Sequence, residues 1–465
     1  MESREKKILQ NSLVFTVGNL GSKIFSYIIV LLYTYYISAE ELGYYDIVLT
    51  TISLLQPVVM LSFDEGIYRW LIDAKESKVK QILSTCLKTV LILTIIAIVI
   101  FEGFNFKFHF QYALEIILLF ASSLIYQMVL NSIRGLANNK LYAISGVLNS
   151  FLLFTFEVIG IIGFGMGVEA LLLSTFAANV LTVLHIYIKE PKFHGVLKES
   201  YDCTLVKNIA KYTIPLIPNS ISWWIVNSSD RYIILEYLGT ASNGIYSVAC
   251  KFPTVISTIS NILYFALQEA IIKEYESDDR NDFYSSIFEK YYMFLFSLTL
   301  CGIPITKIVI MYFVGEEYTV AWQYIGFLFL STVFSALSSF LGIGYQISRE
   351  TIKSSYTTIG AAIVNIVTNV VLIKFIGLHA ATFSTFIAYF ALFIIRMVHC
   401  KKYFTLNVNR LKFYSIFISA LGYVIVSYIG NVIMNLLLFC GGLLFMGIVN
   451  KKTIREFIKK MREKI

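Results

Sequence analysis

The sequence predicts an all-α integral membrane protein of about fourteen transmembrane helices, with two six-helix lobes around a central cleft and two further C-terminal helices. Three observations carry that prediction. Of the 465 residues, 57% are hydrophobic and only 15% charged, against roughly 25% charged in soluble proteins, and the mean hydropathy is +0.71. Fourteen apolar runs follow one another with short polar connections, each near the roughly 20 residues that cross a hydrocarbon core. Finally, one offset lays unusual residues of the second half over those of the first. Runs on this scale consume most of the chain and leave no room for a soluble catalytic domain.

The first run, near 10–36, follows Arg4, Lys6 and Lys7. It is longer than the apolar core of a secretory signal and holds Asn19 and Lys23, so it reads as a retained helix. Runs near 42–70, 80–101, 112–135, 141–163 and 165–188 complete an N-terminal lobe assigned to 1–195. After a polar, Lys-bearing stretch, runs near 208–237, 243–272, 287–313, 320–346, 355–376 and 379–400 make a second lobe, 196–403. Runs near 410–430 and 432–449 form the added pair within 404–450, and 451–465 is a basic tail suited to anionic headgroups. With the N-terminus inside, 30 of the 38 Lys and Arg fall on the cytoplasmic side and only Lys107, Lys307 and Lys374 on the other. That is the bias of the positive-inside rule, and it places both termini in the cytoplasm.

An offset of 201 sets Tyr36 on Tyr237, Gly43 on Gly244 and Tyr45 on Tyr246, in two windows that each lead from an outer loop into the second helix of a half. Six helices per half, an even number, give both copies the same orientation, so the halves relate by an axis along the membrane normal.

Charge inside a bilayer costs roughly 2.5–3.5 kcal/mol on insertion scales and needs a partner or a wet cavity. Lys23 lies near mid-depth of the first helix, either paired with Asp46, Asp64 or Glu65 of the second or facing an anionic ligand. Asp230 and Arg231 in the seventh helix and Lys251 in the eighth occupy corresponding places in the other half, where two cations outnumber one acid. Lys88 also falls within a run. Arg69 and Arg134 sit near cytoplasmic helix ends, suited to snorkelling to headgroups or to gripping a phosphate. Asp64, Glu65, Asp230, Glu157, Glu169 and Glu269 are candidates for proton or sodium coupling. Pro57, Pro215 and Pro218 interrupt helices and are candidate hinges. Trp223, Trp224 and Asn227, away from the interfaces, are candidate saccharide contacts or packing residues.

No catalytic constellation, metal-ligand spacing or cofactor motif emerges. The five histidines lie far apart, the six cysteines form no CxxC pair, and no HExxH, Walker or Rossmann pattern is present. The expectation is a non-enzyme with no metal and no cofactor, and its charge pattern gives no support for nucleic-acid binding.

The stretch Tyr212-Thr213-Ile214-Pro215-Leu216-Ile217-Pro218-Asn219, then Trp223-Trp224, Asn227, Asp230-Arg231-Tyr232, Gly239, Gly244-Ile245-Tyr246 and Lys251, resembles the seventh and eighth helices of Wzx-type polysaccharide flippases. The run Arg134-Gly135-Leu136-Ala137-Asn138-Asn139-Lys140 closing the fourth helix is similar to theirs too. The resemblance implies membership of the multidrug/oligosaccharidyl-lipid/polysaccharide exporter superfamily and a place in a bacterial cytoplasmic membrane. It implies a substrate of undecaprenyl-diphosphate-linked oligosaccharide, moved from inner to outer leaflet by alternating access, with H+ or Na+ as a coupling ion and polymerase and export machinery as partners. Lys23, Arg231, Lys251 and Arg69 would supply cations for the diphosphate, Arg as a fork and Lys as a point charge. A multidrug antiporter of the same superfamily, a membrane polysaccharide polymerase or ligase, and a non-transporting assembly scaffold are the alternatives.

Overall fold

Every regular element among the described residues is a helix, as the apolar runs predict. The computed structural model describes residue 25 and residues 27–449 apart from 276 and 349, with backbone alone at 265, 266, 269, 270, 273, 351 and 352. Most of the expected first helix, Lys23 and the basic tail lie outside the described residues, as does the side chain of Glu269. Eleven helical stretches among the described residues are long and apolar enough to cross a membrane. The runs at 208–237 and 243–272 are built from shorter pieces, which with the first run accounts for the difference from fourteen. By packing, the chain divides into two compact units, one up to Trp224 and one from Ile225 onward.

The first unit holds α1 (Ala39–Val59), α2 (Phe63–Ile72), α3 (Glu76–Phe108), α4 (Ala113–Gly135), α5 (Asn139–Val158), α6 (Val168–Lys189), α7 (Cys203–Thr213) and most of α8 (Ile217–Ser228). Ser38 opens α1 with a capping box, its hydroxyl accepting from Glu41 N while the Glu41 carboxylate accepts from Ser38 N. The expected single helix over 42–70 is broken, but at 60–62 rather than at Pro57, where Leu61 and Ser62 take φ of 50° and 52°. Pro57 cannot donate to Ser53 O, and the ladder ends within three residues of it. Pro215 falls in a single 3-10 turn, Ile214–Leu216, and Pro218 in the first turn of α8, positions where a missing N–H costs little.

At 33 residues α3 is about 50 Å long, against a hydrocarbon core of about 30 Å. The connection after α6 lies along its first half and explains the excess. Lys80 Nζ donates to His194 O, Ser84 Oγ and Lys88 Nζ to Glu199 O (3.2 and 2.6 Å), and Asp202 N to Thr85 Oγ1. Lys88, expected within a span, therefore stands level with a polar connection. The segment that opens the proposed second lobe thus packs on the first unit, and α7 follows it, with Ile209 and Thr213 against Gly66 of α2.

The second unit runs α9 (Asp230–Leu238), α10 (Thr240–Lys251), α11 (Thr254–Lys273), α12 (Arg280–Phe313), α13 (Ile325–Ile347), α14 (Thr351–Ile376), α15 (His379–His399), α16 (Arg410–Ile429) and α17 (Val432–Val449). Gly239, at φ 84°, makes the left-handed turn between α9 and α10 that a side chain would resist. Helix α10 begins at Thr240 and α1 at Ala39, the register the 201 offset requires. The 34-residue α12 repeats the behaviour of α3: its first turns are edged by the segment after α15, with Thr405 N donating to Asn281 Oδ1 and Asn407 N to Ser285 Oγ. Around α13 the core is aromatic, Phe334 meeting Phe386, Phe390, Phe393 and Phe417 at centroid distances of 5.0 to 5.9 Å. Helix α17 sits backbone to backbone on α12 at Gly442, where a Cβ would stand 2.9 Å from Leu300 O.

Candidate functional site

A buried polar cluster in the second unit forms around the first residue of α9. The Asp230 carboxyl is 1% exposed and within an expected span. Its position at a helix N-terminus suits negative charge. Three neutral groups from three other helices meet it: Tyr246 OH of α10 donates to Oδ2 (3.0 Å), Asn369 Nδ2 of α14 to Oδ1 (2.9 Å), and Thr385 Oγ1 of α15 lies 2.5 Å from Oδ2. Asn365, one turn before Asn369, joins Ser229 (3.2 Å) and Thr385 (3.3 Å), and Tyr389 OH donates to Asn227 Oδ1 at 2.5 Å.

Counting hydrogens shows that the cluster can accommodate a proton on Asp230. The Thr385 hydroxyl has one proton and faces two acceptors, Ala381 O at 2.9 Å and Asp230 Oδ2. If Asp230 carries a proton on Oδ2, it donates to Thr385, Thr385 donates to Ala381, and each of these hydrogens has an acceptor. Among the described residues, the Oδ1 of Asn369, fully buried, has no donor. The cluster can therefore hold a proton, and it offers a cluster of oxygen atoms to a small cation.

The carboxyl of Asp230 is held by neutral donors, with the charge of the neighbouring Arg231 acting on it through space. Arg231 is half-buried, donates to Asn227 O at 3.1 Å and lies 5.9 Å from the Tyr246 ring. Lys251 closes α10, half-buried. In the first unit Asp64 is half-buried and accepts from Asn131 Nδ2 (3.2 Å), Glu65 is exposed, and Arg69 pairs with Asp73 one turn on. The Trp224 indole donates to Thr50 O and Ser53 Oγ (3.0 and 3.1 Å), tying α8 to α1 just before Pro57; Trp223 is half-buried and Asn227 exposed. Glu157 is 2% exposed on α5. Lys23 and the Glu269 side chain lie outside the described residues.

Sequence reasoning named Asp230 but missed its partners Tyr246, Asn369 and Thr385, and Asn365 behind them. Asn365 and Asn369, four apart in an otherwise apolar run, share one helix face and were the available signal. Two further buried cations were not anticipated: Lys307, expected in an outer loop, and Arg396, expected at a cytoplasmic helix end, are 4% and 2% exposed.

Residues 8–272 match the protein family described as "Polysaccharide biosynthesis protein". Among solved structures, the lipid II flippase MurJ in an inward closed conformation superimposes with a TM-score of 0.70 at 14% identity, covering 96% of this chain and 100% of that one. An inward-facing multidrug resistance MATE family transporter of the MOP superfamily gives 0.66 at 16%, covering 83% and 94%. A MATE structure in complex with MaL6 gives 0.60 at 15%, covering 85% and 96%. The comparison with curated proteins finds no match. These likenesses establish a shared helical transporter fold, and the match across more than half its length places the chain in the polysaccharide biosynthesis protein family.

Proposed function

We propose that the protein is a flippase that moves undecaprenyl-diphosphate-linked oligosaccharide from the inner to the outer leaflet of a bacterial cytoplasmic membrane by alternating access. The observation that carries this reading is the polysaccharide biosynthesis family match, joined to a fold shared with a lipid II flippase. In this reading both termini are cytoplasmic, and Lys23, Arg231, Lys251 and Arg69 receive the diphosphate. Trp223, Trp224 and Asn227 contact sugar. The interruptions at or after Pro57, Pro215 and Pro218 serve as hinges. Asp230, assisted by Asp64, Glu65 and Glu269 elsewhere, carries the coupling ion: a proton on its carboxyl, or Na+ among the oxygens of Asp230, Asn369 and Thr385. The burial of Asp230 and its neutral hydrogen-bond donors support it, because a carboxylate held by neutral donors can take up and release an ion without breaking a salt bridge.

The test is leaflet exchange of a fluorescent undecaprenyl-diphosphate oligosaccharide in proteoliposomes. Wild type accelerates exchange, Lys23→Ala and Arg231→Ala abolish it with folding intact, and Asp230→Asn removes its dependence on an imposed H+ or Na+ gradient. Exchange untouched by the two cation substitutions refutes the site. Absence of exchange, with uptake of a cationic dye instead, refutes the substrate and favours a multidrug antiporter.

A further inference from the structure

In the run from Arg134 to Lys140 that closes α4, the four residues after the arginine have structural work. Gly135 admits close approach: a Cβ there would stand 2.9 Å from Leu71 Cβ, 3.1 Å from Tyr68 O and 3.2 Å from Tyr68 Cα, so α4 and α2 touch nearly backbone to backbone. Leu136 closes the helix and Ala137 turns the chain at φ 57°. Asn138 caps α5, accepting from Leu141 N (3.2 Å), and donates to Glu190 Oε2 (2.9 Å) at the end of α6. That leaves the charge of Arg134.

Its guanidinium carbon lies 4.4 Å from the centroid of the Tyr68 ring, a stack that the Gly135 contact holds in place. A cation–π contact engages the charge of the guanidinium and leaves its N–H groups free to donate to oxygen acceptors. Among the described residues no acceptor takes those N–H groups and no carboxylate lies within ion-pairing distance. The side chain is half-buried, so a ligand can reach it. The other arginines nearby in role are committed. Arg69 is paired with Asp73, and buried Arg396 spends its donors on Ser338 O (2.8 Å), Thr357 Oγ1 (3.1 Å), Thr358 Oγ1 (3.1 Å) and Ser354. The ring pair Trp70–Tyr212, at 5.6 Å, flanks the same end of α2. Aromatic rings of this kind gather at the headgroup level of a membrane.

We infer that Arg134, held on Tyr68, is a receptor for a phosphate group of a lipid headgroup on the Lys-rich side of the first unit. A planar fork with open donors matches two oxygens of one phosphate. The phosphate comes either from the diphosphate of the lipid-linked substrate, an assignment that rests on the flippase reading above, or from an ordinary anionic phospholipid.

The experiment titrates a polyprenyl diphosphate and phosphatidylglycerol separately into the purified full-length protein, as wild type, Arg134→Ala and Arg134→Lys, with thermal unfolding as the check on folding. Arg134→Ala weakens binding by about tenfold or more, and Arg134→Lys recovers only part, because an ammonium lacks the fork and the stack. Loss confined to the diphosphate assigns the site to substrate, and equal loss for both lipids assigns it to the bulk headgroup. Unchanged affinity of a folded Arg134→Ala for both lipids overturns the inference. A wild type that binds phosphatidylglycerol but no polyprenyl diphosphate defeats the flippase reading instead and leaves the phospholipid arm to decide Arg134.

Discussion

Lys307 offers the sharpest test of how the added C-terminal pair is attached. Its ammonium, nearly fully buried on α12, donates to Ser427 O (2.6 Å), Tyr428 O (3.1 Å) and Gly430 O (2.9 Å), carbonyls at the end of α16, and lies 3.8 Å from the centroid of the Trp322 ring. A helix C-terminus carries partial negative charge, so this is a cap delivered from another helix. In Lys307→Met, Ser427 O and Gly430 O keep the Asn435 amide, at 3.4 and 3.2 Å, whereas Tyr428 O loses its donor. One orphaned acceptor costs about 1–3 kcal/mol, and the lost ring contact about 0.5–2 kcal/mol. Relief from desolvating an ammonium offsets part of this, leaving a net loss of about 2 kcal/mol. For a unit of this size that corresponds to roughly 4–8 °C in Tm. Thermal unfolding of detergent-purified wild type, Lys307→Met, Trp322→Leu and the double variant measures both the loss and the coupling, the latter expected at about 0.5–2 kcal/mol. A Lys307→Met protein that melts within a degree of wild type would refute the cap, since the three carbonyls would then have no need of it.

Two further predictions are local. Gly135→Ala pushes a methyl into the Tyr68 backbone and destabilises by about 1–3 kcal/mol, whereas Gly146→Ala, with nothing within 4 Å of its added Cβ, is neutral or stabilising in the same melting assay. Outside the spans, Glu350 accepts from Lys353 (2.6 Å) and from Tyr403 OH, which together hold its carboxyl below the ordinary 4.5, while burial first and then Glu350 push the Tyr403 phenol up to about 12. A depressed folded-state value means the stabilisation is fully present above the ordinary value and is lost as pH falls through the depressed one. The Tm difference between wild type and Glu350→Gln should therefore be present at neutral pH and vanish in acid; a difference that grows on acidification would contradict the pairing.

Composition and periodicity determined the all-helical membrane fold, because the bilayer admits little else from a chain this apolar. The 201 offset anticipated that α1 and α10 begin in the same register, although Ser38 caps the first with its side chain and Gly239 turns into the second with none. Asp230 was legible because a carboxyl within an apolar run is costly wherever it lies, and its cost is visible without neighbours. What sequence could not decide is where each polar side chain finds its partner. Lys88 and Lys307 look alike in sequence, each a lysine in or beside an apolar run. One reaches a polar connection 111 residues away and the other a helix end 120 residues away. Arg69 and Arg134 were indistinguishable as basic helix ends until the structure paired the first with Asp73 and stacked the second on Tyr68. Burial cost is a property of the residue and its run, so sequence carries it. Satisfaction of a hydrogen bond depends on distances between helices far apart in the chain, and only the tertiary structure fixes those.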